Sequence, residues 1–191
     1  MQPCRLAVDD LAVRRGDRVL VRGVGFALGP GAALHLAGPN GIGKSSLLRI
    51  VAGLSRAFAG RVEVEGALAL CDERLPLDAH RPLDAAMRFW RRIDGAQAAD
   101  ARFGLAALGD VPVRYLSTGQ RKRAALACVV ASGAPIWLLD EPLNGLDAQW
   151  AGVAQNAIEA HRAQGGIAVI ASHQPLGLAD LAVLSLGDFA P

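Results

Sequence analysis

The chain has little of what marks a secreted or membrane-spanning protein. Its 191 residues include three cysteines, Cys4, Cys71 and Cys128, whose odd number and wide spacing fit neither a disulfide framework nor a metal site. The longest uncharged apolar run, 124–139, contains Ser-Gly-Ala-Pro and is shorter than the ~20 residues that span a bilayer. The first residues lack the basic start and apolar stretch of a secretory signal. We therefore expect reduced thiols and no membrane segment.

The chain also lacks an excess of charge of either sign. Twenty Lys and Arg residues against 18 Asp and Glu residues give a net charge of +2, without the basic block that neutralises many phosphates. This distribution does not favour nucleic acid as a partner. Only two of the cations are lysines, Lys44 and Lys122, so these positions differ from the arginine-rich background.

What the chain does have is an alternation of apolar strands and amphipathic helices. Hydrophobic residues make up 52% of the total, which at this length suits a single domain, 1–191. The strands are predicted at 33–37, 136–139 and 166–172, and the helices at 44–53 and 150–164. This order predicts an α/β fold with a parallel sheet core.

Two regions differ from that alternation. The stretches 6–13 and 19–28 alternate loosely between apolar and polar residues, which predicts an N-terminal antiparallel β part. Residues 82–108 are rich in Ala, Arg and Leu, and a helix is predicted at 120–132. Together these segments predict a small helical subdomain at about 82–133.

The segment after the strand 33–37 matches a phosphate-binding pattern. Residues 38–45, GPNGIGKS, fit G-x-x-x-x-G-K-[ST], in which bare backbone lets N–H groups converge on phosphate oxygens. Lys44 is then expected to reach the β- and γ-phosphates, and the Ser45 hydroxyl to bind Mg²⁺. The alternative is a plain glycine turn with an exposed lysine. A strand before the loop and a helix after it favour nucleotide binding.

A second polar site follows the strand 136–139, which ends in two adjacent acids, Asp140 and Glu141. A buried strand that ends in charge delivers it to the carboxyl edge of a parallel sheet, where α/β proteins bind ligands. Beside a phosphate loop, Asp140 is expected to hold Mg²⁺ and Glu141 to orient or deprotonate the attacking water. The alternative is a solvated strand end with helix-capping carboxylates.

A third feature is the segment 116–120, LSTGQ, which precedes a long Ala-rich helix. By itself Ser117 is a good N-cap of a helix start that can receive an anion. With this motif the chain resembles the ATP-binding cassette (ABC) family, whose signature is L-S-x-G-Q. The strand end at 140–141, the segment NGLD at 144–147 and His173 in ASHQ follow in the family's order. The resemblance covers nearly the whole chain and implies a phosphate-loop NTPase fold of ABC type.

The resemblance also implies an ATPase that uses ATP and Mg²⁺ and works as a dimer of two copies. In that family Ser117 and Gly119 of one copy face the γ-phosphate that Lys44 of the other copy holds, and Asp147 lies at the seam. The implied catalytic residues are Glu141 and His173. The implied nucleotide-binding residues are Gly38, Pro39, Asn40, Gly41, Ile42, Gly43, Lys44, Ser45, Ser46, Ser117, Gly119, Gln120 and Asp147. The implied metal ligands are Ser45, Asp140 and Glu73.

Two positions differ from the family's pattern. The family usually places an aromatic ring under the adenine in the N-terminal β part, where residues 14–18, RRGDR, contain no aromatic. An Arg guanidinium is the group there that can stack on a base. The family's Q-loop glutamine is expected where this chain has Glu73, and a carboxylate ligates Mg²⁺ at least as well as an amide oxygen.

Within the family, the segments 14–31 and 165–180 are similar to the ATP-binding subunit of the haem exporter of cytochrome c maturation. That resemblance implies ATP hydrolysis that drives release of a haem-loaded chaperone. It implies membrane permease subunits, the exporter's B- and C-type proteins, that handle the haem in place of this chain. It also implies a peripheral location on the cytoplasmic face of the bacterial inner membrane. Phe89 and Trp90 are the expected docking residues, with burial in the core as the alternative.

Other functions remain open at this point. One is the ATPase subunit of a different ABC exporter. Another is a soluble ABC-type ATPase that acts on ribosomes or DNA, although the paired cassettes or coiled-coil insertions of such relatives are not visible. A third is a phosphotransferase or GTP switch that shares only the phosphate loop, in which the signature segment and His173 have no role.

Overall fold

A five-stranded parallel sheet forms the centre of the fold in a computed structural model that describes residues 3–94 and 102–191. The strands are β1 (Arg5–Arg15), β2 (Arg18–Leu28), β3 (Ala33–Ala37), β4 (Ala59–Glu65), β5 (Leu68–Cys71), β6 (Ile136–Asp140), β7 (Ile167–Ser172) and β8 (Ala182–Ser185). The α-helices are α1 (Lys44–Val51), α2 (Leu83–Asp94), α3 (Thr118–Ala131) and α4 (Ala148–Ala163). Short 3₁₀ helices lie at Ala106–Leu108, Val113–Tyr115 and Leu186–Phe189.

The order of the strands determines which chain segments meet. The parallel sheet runs β5-β6-β7-β3-β8, so β7 lies between the strand of the glycine loop and the strand of the two acids. Asp140 is in register with Ala171 on β7, and Ala37 with Ser172. Because the strands are parallel, their carboxyl ends lie at one edge of the sheet, where such folds bind ligands. The predicted α/β fold with a parallel core is confirmed.

A separate antiparallel sheet, β2-β1-β4, covers one side of the molecule. It confirms the predicted N-terminal β part, and β1 and β2 extend a few residues beyond the predicted bounds. The edge strand β8 was not predicted from the sequence. Its run of apolar residues, 181–184, is short, and two of its four residues are exposed, unlike the fully buried β6 and β7.

The parallel sheet is buried on both faces. Along β6, Ile136 and Leu138 pack on the side of the antiparallel sheet and α1, whereas Trp137 and Leu139 pack on the side of α2, α3 and α4. All four side chains are buried, and each contributes about 1.5–3 kcal/mol of transfer free energy. A strand that is buried on both faces has no polar alternation, which explains its uninterrupted apolar sequence.

The helical segments lie in the region where the sequence predicts them. Helix α3 begins two residues before the predicted start, because Ser117 and Gln120 form a capping box around its first turn. Residues 95–101 of the predicted helical insert lie outside the described residues. The subdomain at about 82–133 therefore stays a prediction.

The cysteines are free thiols, as their spacing suggests. Cys71 is buried at the end of β5, and burial raises the pKa of its thiol to about 11. A thiol with so high a pKa stays protonated and unreactive. Over the described ranges 3–94 and 102–191, none of the helices has both the length and the apolar character needed to cross a bilayer.

Candidate functional site

The glycine loop joins the buried strand β3 to α1. Gly43 is the N-cap of α1 with φ +119°, and Gly38 has φ +146°, a backbone conformation that L side chains rarely adopt. The first N–H groups of α1 have no side-chain cap, since Gly43 carries none. These N–H groups point out of the N-terminal end of the helix, where an anion can accept hydrogen bonds from them.

Lys44 folds back over its own loop. Its Nζ donates to the carbonyl oxygens of Gly38 at 2.6 Å and Pro39 at 3.2 Å, and lies 3.6 Å from Oε1 of Glu141. The residue is only 6% exposed. A buried ammonium needs such partners, because an unpaired buried charge is strongly disfavoured. The single lysine of this segment is therefore held inside the loop, beside the acids of β6.

Asp140 is buried at the end of β6 with an unsatisfied oxygen. Its Oδ1 is inaccessible to solvent and has no hydrogen-bond partner among the described residues. Burial raises the pKa of its carboxyl group, and the Glu141 carboxylate adds to this; the Ser45 hydroxyl and the Lys122 ammonium oppose it. Orphaned buried carboxylate oxygens are rare in proteins, and each requires an explanation.

Glu141 has a strained backbone and a shared carboxylate. Its φ of +46° is unusual for a residue other than glycine, and such strain concentrates at functional sites. Its N–H donates to the carbonyl of Ala171 at 2.8 Å. Its Oε1 accepts from the backbone N–H of His173 at 3.1 Å and lies 3.0 Å from the Nδ1 of that ring. Glu141 and His173 thus form one unit across β6 and β7.

These groups surround a cavity of about 270 Å³ beside the loop. Ten of the predicted site residues line it: Asn40, Gly41, Gly43, Lys44, Ser45, Ser46, Glu73, Asp140, Glu141 and His173. Arg15 lines it as well and belongs to the segment 14–18, in which an Arg was expected to stack on a base; Leu20 and Asn144, which also line it, were not predicted as site residues. Gly38, Pro39 and Ile42 shape the loop, the first two by accepting hydrogen bonds from Lys44. The cavity brings the backbone of the glycine loop, one ammonium and three carboxylates together.

The signature segment lies elsewhere. Within the part of the chain that the structure describes, Ser117, Gly119 and Gln120 are not among the residues that line this cavity. The Ser117 hydroxyl accepts from the Gln120 N–H at 3.2 Å, and the Gln120 side chain accepts from the Ser117 N–H at 2.8 Å. A Cβ on Gly119 would lie 2.9 Å from the carbonyl oxygen of Gly145. The helix start is therefore capped and packed on the turn at 144–147, apart from the loop.

Asp147, like the signature residues, does not line the loop cavity in the described structure. Its carboxylate accepts from the N–H of Trp150 at 2.9 Å and caps α4. This contact holds the turn that follows Glu141. Besides Gly38, Pro39 and Ile42 of the loop itself, four residues that the resemblance assigns to nucleotide binding therefore do not line the cavity of one copy: Ser117, Gly119, Gln120 and Asp147.

A second cavity of about 650 Å³ adjoins the first. The two cavities share Arg15, Ser45, Ser46, Glu73 and Asp140. Arg14 also lines the second cavity, but its guanidinium lies over the ring of Phe58, 4.7 Å from the centroid. Phe58 is absent from the lining residues of both cavities within the described structure, as is every other Phe, Tyr or Trp.

The oxygen ligands suit a hard cation. The described residues contain no group of three His, Cys, Asp or Glu side chains close enough to hold a metal ion together. They do place the Asp140 carboxylate, one oxygen of which has no partner, beside the Ser45 hydroxyl and in one cavity with the Glu73 carboxylate. Mg²⁺ is typically bound through one or two such groups plus substrate phosphates, so the residues present fit it.

Comparison with known proteins accounts for this arrangement. The family model described as ABC transporter matches residues 21–144, which include the glycine loop, LSTGQ and the two acids. The chain belongs to the ABC transporter family. Its ABC cassette fold carries the loop, the signature segment and the acids in the family's order, and membership makes the chain an ATP-binding ATPase subunit.

Individual ABC relatives agree with this assignment. A protein of Novosphingobium aromaticivorans named cytochrome c biogenesis ATP-binding export protein CcmA is 63% identical over 191 residues, and the match covers 100% of both chains. The protein of the same name from Zymomonas mobilis is 49% identical over 189 residues, 97% of this chain and 86% of that one. A solved putative ABC transporter ATP-binding protein from Pyrococcus furiosus has a TM-score of 0.82 over 98% of this chain and 100% of its own. At 19% identity, that structure supports the fold alone.

Proposed function

We propose that this chain is the ATP-hydrolysing subunit of a membrane export complex, the haem exporter of cytochrome c maturation. One observation carries the ATPase part: Lys44, Asp140, Glu141 and His173 converge on a single cavity beside a glycine loop. The export part is supported by relatives that carry the name cytochrome c biogenesis ATP-binding export protein over nearly the whole chain.

The phosphate chain of ATP binds at the glycine loop. The uncapped N–H groups of α1 and its positive dipole end receive the phosphate oxygens. The Lys44 ammonium, now held by the carbonyls of Gly38 and Pro39, turns from them toward the β- and γ-phosphates. In this exchange the Lys44 ammonium gives up the carbonyls of Gly38 and Pro39 for phosphate oxygens and therefore stays paired.

Magnesium is the metal that these residues fit. The Ser45 hydroxyl, the unsatisfied Asp140 oxygen and the Glu73 carboxylate would hold it at the edge of the sheet. When bound, Mg²⁺ neutralises charge on the β- and γ-phosphates. The orphaned oxygen of Asp140 then has a partner, which accounts for its burial without one.

Glu141 and His173 act on the attacking water. The Glu141 carboxylate accepts a proton from the water molecule while the water oxygen attacks the γ-phosphorus. The bond from that phosphorus to the β,γ-bridging oxygen breaks, which leaves ADP and phosphate. His173 fixes the carboxylate through its backbone N–H and its ring, so that the second oxygen stays free for water. The ring is also near enough to the loop cavity to contact the γ-phosphate.

A second copy of the chain completes the site. The capped start of α3, with Ser117, Gly119 and Gln120, lies apart from the loop of its own chain. In a head-to-tail dimer it faces the γ-phosphate at the loop of the partner, with Asp147 near the seam. One copy alone then binds ATP and hydrolyses it poorly.

The nucleoside extends into the adjoining cavity, where Arg15 stacks on the base. Arg14 is occupied by Phe58, whereas Arg15 lines both cavities. Guanidinium planes stack on bases as aromatic rings do. Arg15→Ala is expected to weaken ATP binding about tenfold and to leave binding of inorganic tripolyphosphate unchanged, as measured by calorimetry. Arg14→Ala is the matched control; an equal loss in both variants would refute the assignment.

The surface that contacts the permease is on α2. Phe89 is 52% exposed, while its neighbour Trp90 packs against the core in a T-shaped contact with the Phe89 ring. Of the two predicted docking residues, Phe89 is therefore the one available to a partner, and it belongs to the proposed helical subdomain at about 82–133. The chain then lies at the cytoplasmic face of the inner membrane, held there by permease subunits that handle the haem.

Fractionation tests the proposal. The chain should sediment with membranes only when its neighbouring permease genes are co-expressed, and those membranes should hydrolyse ATP. A Lys44→Ala variant should reach the membrane and show no hydrolysis. Cosedimentation with ribosomes in place of membranes would refute the export function and favour a soluble ABC-type ATPase.

A further inference from the structure

Lys122 is one of the two lysines of the chain, and it lies on α3, two residues after the signature segment. Its side chain is half-buried and crosses from the helix to the end of β6. There its Nζ donates to the carbonyl oxygen of Asp140 at 3.2 Å. None of the roles assigned to the site so far includes this residue.

The carbonyl that Lys122 contacts belongs to the peptide unit between Asp140 and Glu141. The N–H of the same peptide unit donates to the carbonyl of Ala171 on β7 at 2.8 Å. Both polar groups of this unit are therefore bonded, one to the neighbouring strand and one to α3. A peptide plane that is held on both sides has little freedom to rotate.

This restraint matters because of the residue that follows. Glu141 has φ +46°, a conformation that persists only where the surroundings impose it. The orientation of the preceding peptide plane, together with φ, sets the direction in which the Glu141 side chain leaves the backbone. The Asn144 N–H donates to the Glu141 carbonyl at 3.2 Å and so restrains the peptide unit that follows Glu141.

The charge of Lys122 also suits its surroundings. A groove of about 490 Å³ beside it is lined by Asp72, Glu73 and Glu141, and by the cation Arg121 as well as Lys122. Three carboxylates in one groove repel one another. Arg49 pairs with Asp72 at 2.7 Å, and the Lys122 ammonium and the Arg121 guanidinium reduce the remaining repulsion. A neutral donor at position 122 could supply the hydrogen bond and would remove one of these cations.

We propose that Lys122 is a positioning residue, which holds the Asp140–Glu141 peptide so that the Glu141 carboxylate meets the attacking water. It would also link the signature helix of a chain to the hydrolytic carboxylate of the same chain. This inference rests on the role proposed for Glu141. It concerns orientation of that carboxylate and leaves nucleotide binding to the glycine loop.

Steady-state ATP hydrolysis by the membrane complex tests the proposal. Lys122→Met keeps the aliphatic stem and removes the ammonium, and kcat should fall about 10- to 100-fold, because a misplacement of the order of 1 Å costs up to ~10²-fold. KM for ATP should stay within about twofold, since the loop that binds ATP is unchanged. Lys122→Arg should restore most of kcat. Arg121→Met removes the exposed neighbouring cation of the same groove and leaves the Lys122 bond to the Asp140 carbonyl in place; it is the control and should match the wild type.

Amide hydrogen exchange gives a readout that does not depend on turnover. In the nucleotide-free full chain, the amides of Asp140, Glu141, Leu143 and Asn144 should exchange faster in Lys122→Met than in the wild type, and at the wild-type rate in Lys122→Arg and Arg121→Met. Unchanged exchange in Lys122→Met would overturn the proposal, as would a rise in KM at constant kcat or a loss that Arg121→Met shares. If the wild-type complex does not hydrolyse ATP, the proposed function fails, and the exchange data still decide the role of Lys122.

Discussion

Replacing Glu141 with Gln separates hydrolysis from binding more sharply than any other single change in this chain. The amide keeps the size of the side chain and an oxygen that can accept from the His173 N–H at the position of Oε1. It removes the charge that lies 3.6 Å from the Lys44 ammonium and the basicity needed to take a proton from water. The variant should bind MgATP, form the two-copy complex and fail to turn over.

The two expected effects differ greatly in size. Loss of a general base costs about 10²–10⁴-fold in rate. The stability effect is small, because Lys44 keeps its bonds to the carbonyls of Gly38 and Pro39, and a pair of this length at a partly open site contributes about 1 kcal/mol or less. For a chain of 191 residues that corresponds to a melting temperature lower by about 2–4 °C at most.

The assay has three parts: ATP hydrolysis by the membrane complex, ATP affinity by calorimetry and the melting temperature of the isolated chain. Glu63→Gln on β4, which removes an exposed carboxylate far from the loop, is the matched control and should behave as the wild type. Turnover by Glu141→Gln within tenfold of the wild type would show that another group accepts the proton. A melting temperature lower by about 10 °C would show that the substitution disturbs the fold, so that lost turnover could not be assigned to the missing base.

Three further predictions concern docking, metal and packing. Phe89→Ala should reduce copurification with the permease and leave the melting temperature unchanged, because Phe89 is exposed. Trp90→Ala should lower the free energy of unfolding by about 2 kcal/mol, because Trp90 packs against the core, and thermal denaturation should show a melting temperature lower by about 4–8 °C. Chelation of Mg²⁺ should weaken ATP binding strongly in the wild type and little in Asp140→Asn, measured by calorimetry; equal losses would exclude Asp140 as a ligand. Gly166→Ala should lower the free energy of unfolding by about 1–3 kcal/mol, because the added Cβ overlaps the ring of the buried His161. Gly152→Ala, where the added Cβ meets open space on α4, should raise it slightly. Equal melting temperatures for the two variants would refute this packing argument.

The elements that the sequence predicted best are those with local causes. The bounds of β3 match the prediction, because a short apolar run is followed directly by Gly38 and Pro39, a pair typical of a loop. Helix α3 and its cap follow from Ser117 and Gln120, three residues apart. The cavity then gathers ten predicted residues, since parallel strands place their carboxyl ends at one edge.

The features that were not predicted depend on contacts between distant segments. The contact of Arg14 with Phe58 joins residues 44 positions apart (58 − 14), and no local pattern marks it. The bond from Lys122 to a backbone carbonyl has no partner side chain that a sequence pattern could identify. Phe89 and Trp90 are adjacent aromatic residues on one helix, so the sequence does not tell which of them is exposed. Only the packing shows that Phe89 is exposed and that Trp90 lies against the core.

The place of β7 in the parallel sheet fixes a distance. Neighbouring strands lie about 4.8 Å apart, so the strand that carries the glycine loop and the strand that carries the two acids are separated by about 9.6 Å at their ends. If those strands were adjacent, their ends would lie only about 4.8 Å apart. The interposed strand thus sets the separation between the glycine loop and the two acids. This separation follows from the order of the strands and does not depend on the side chains of the site.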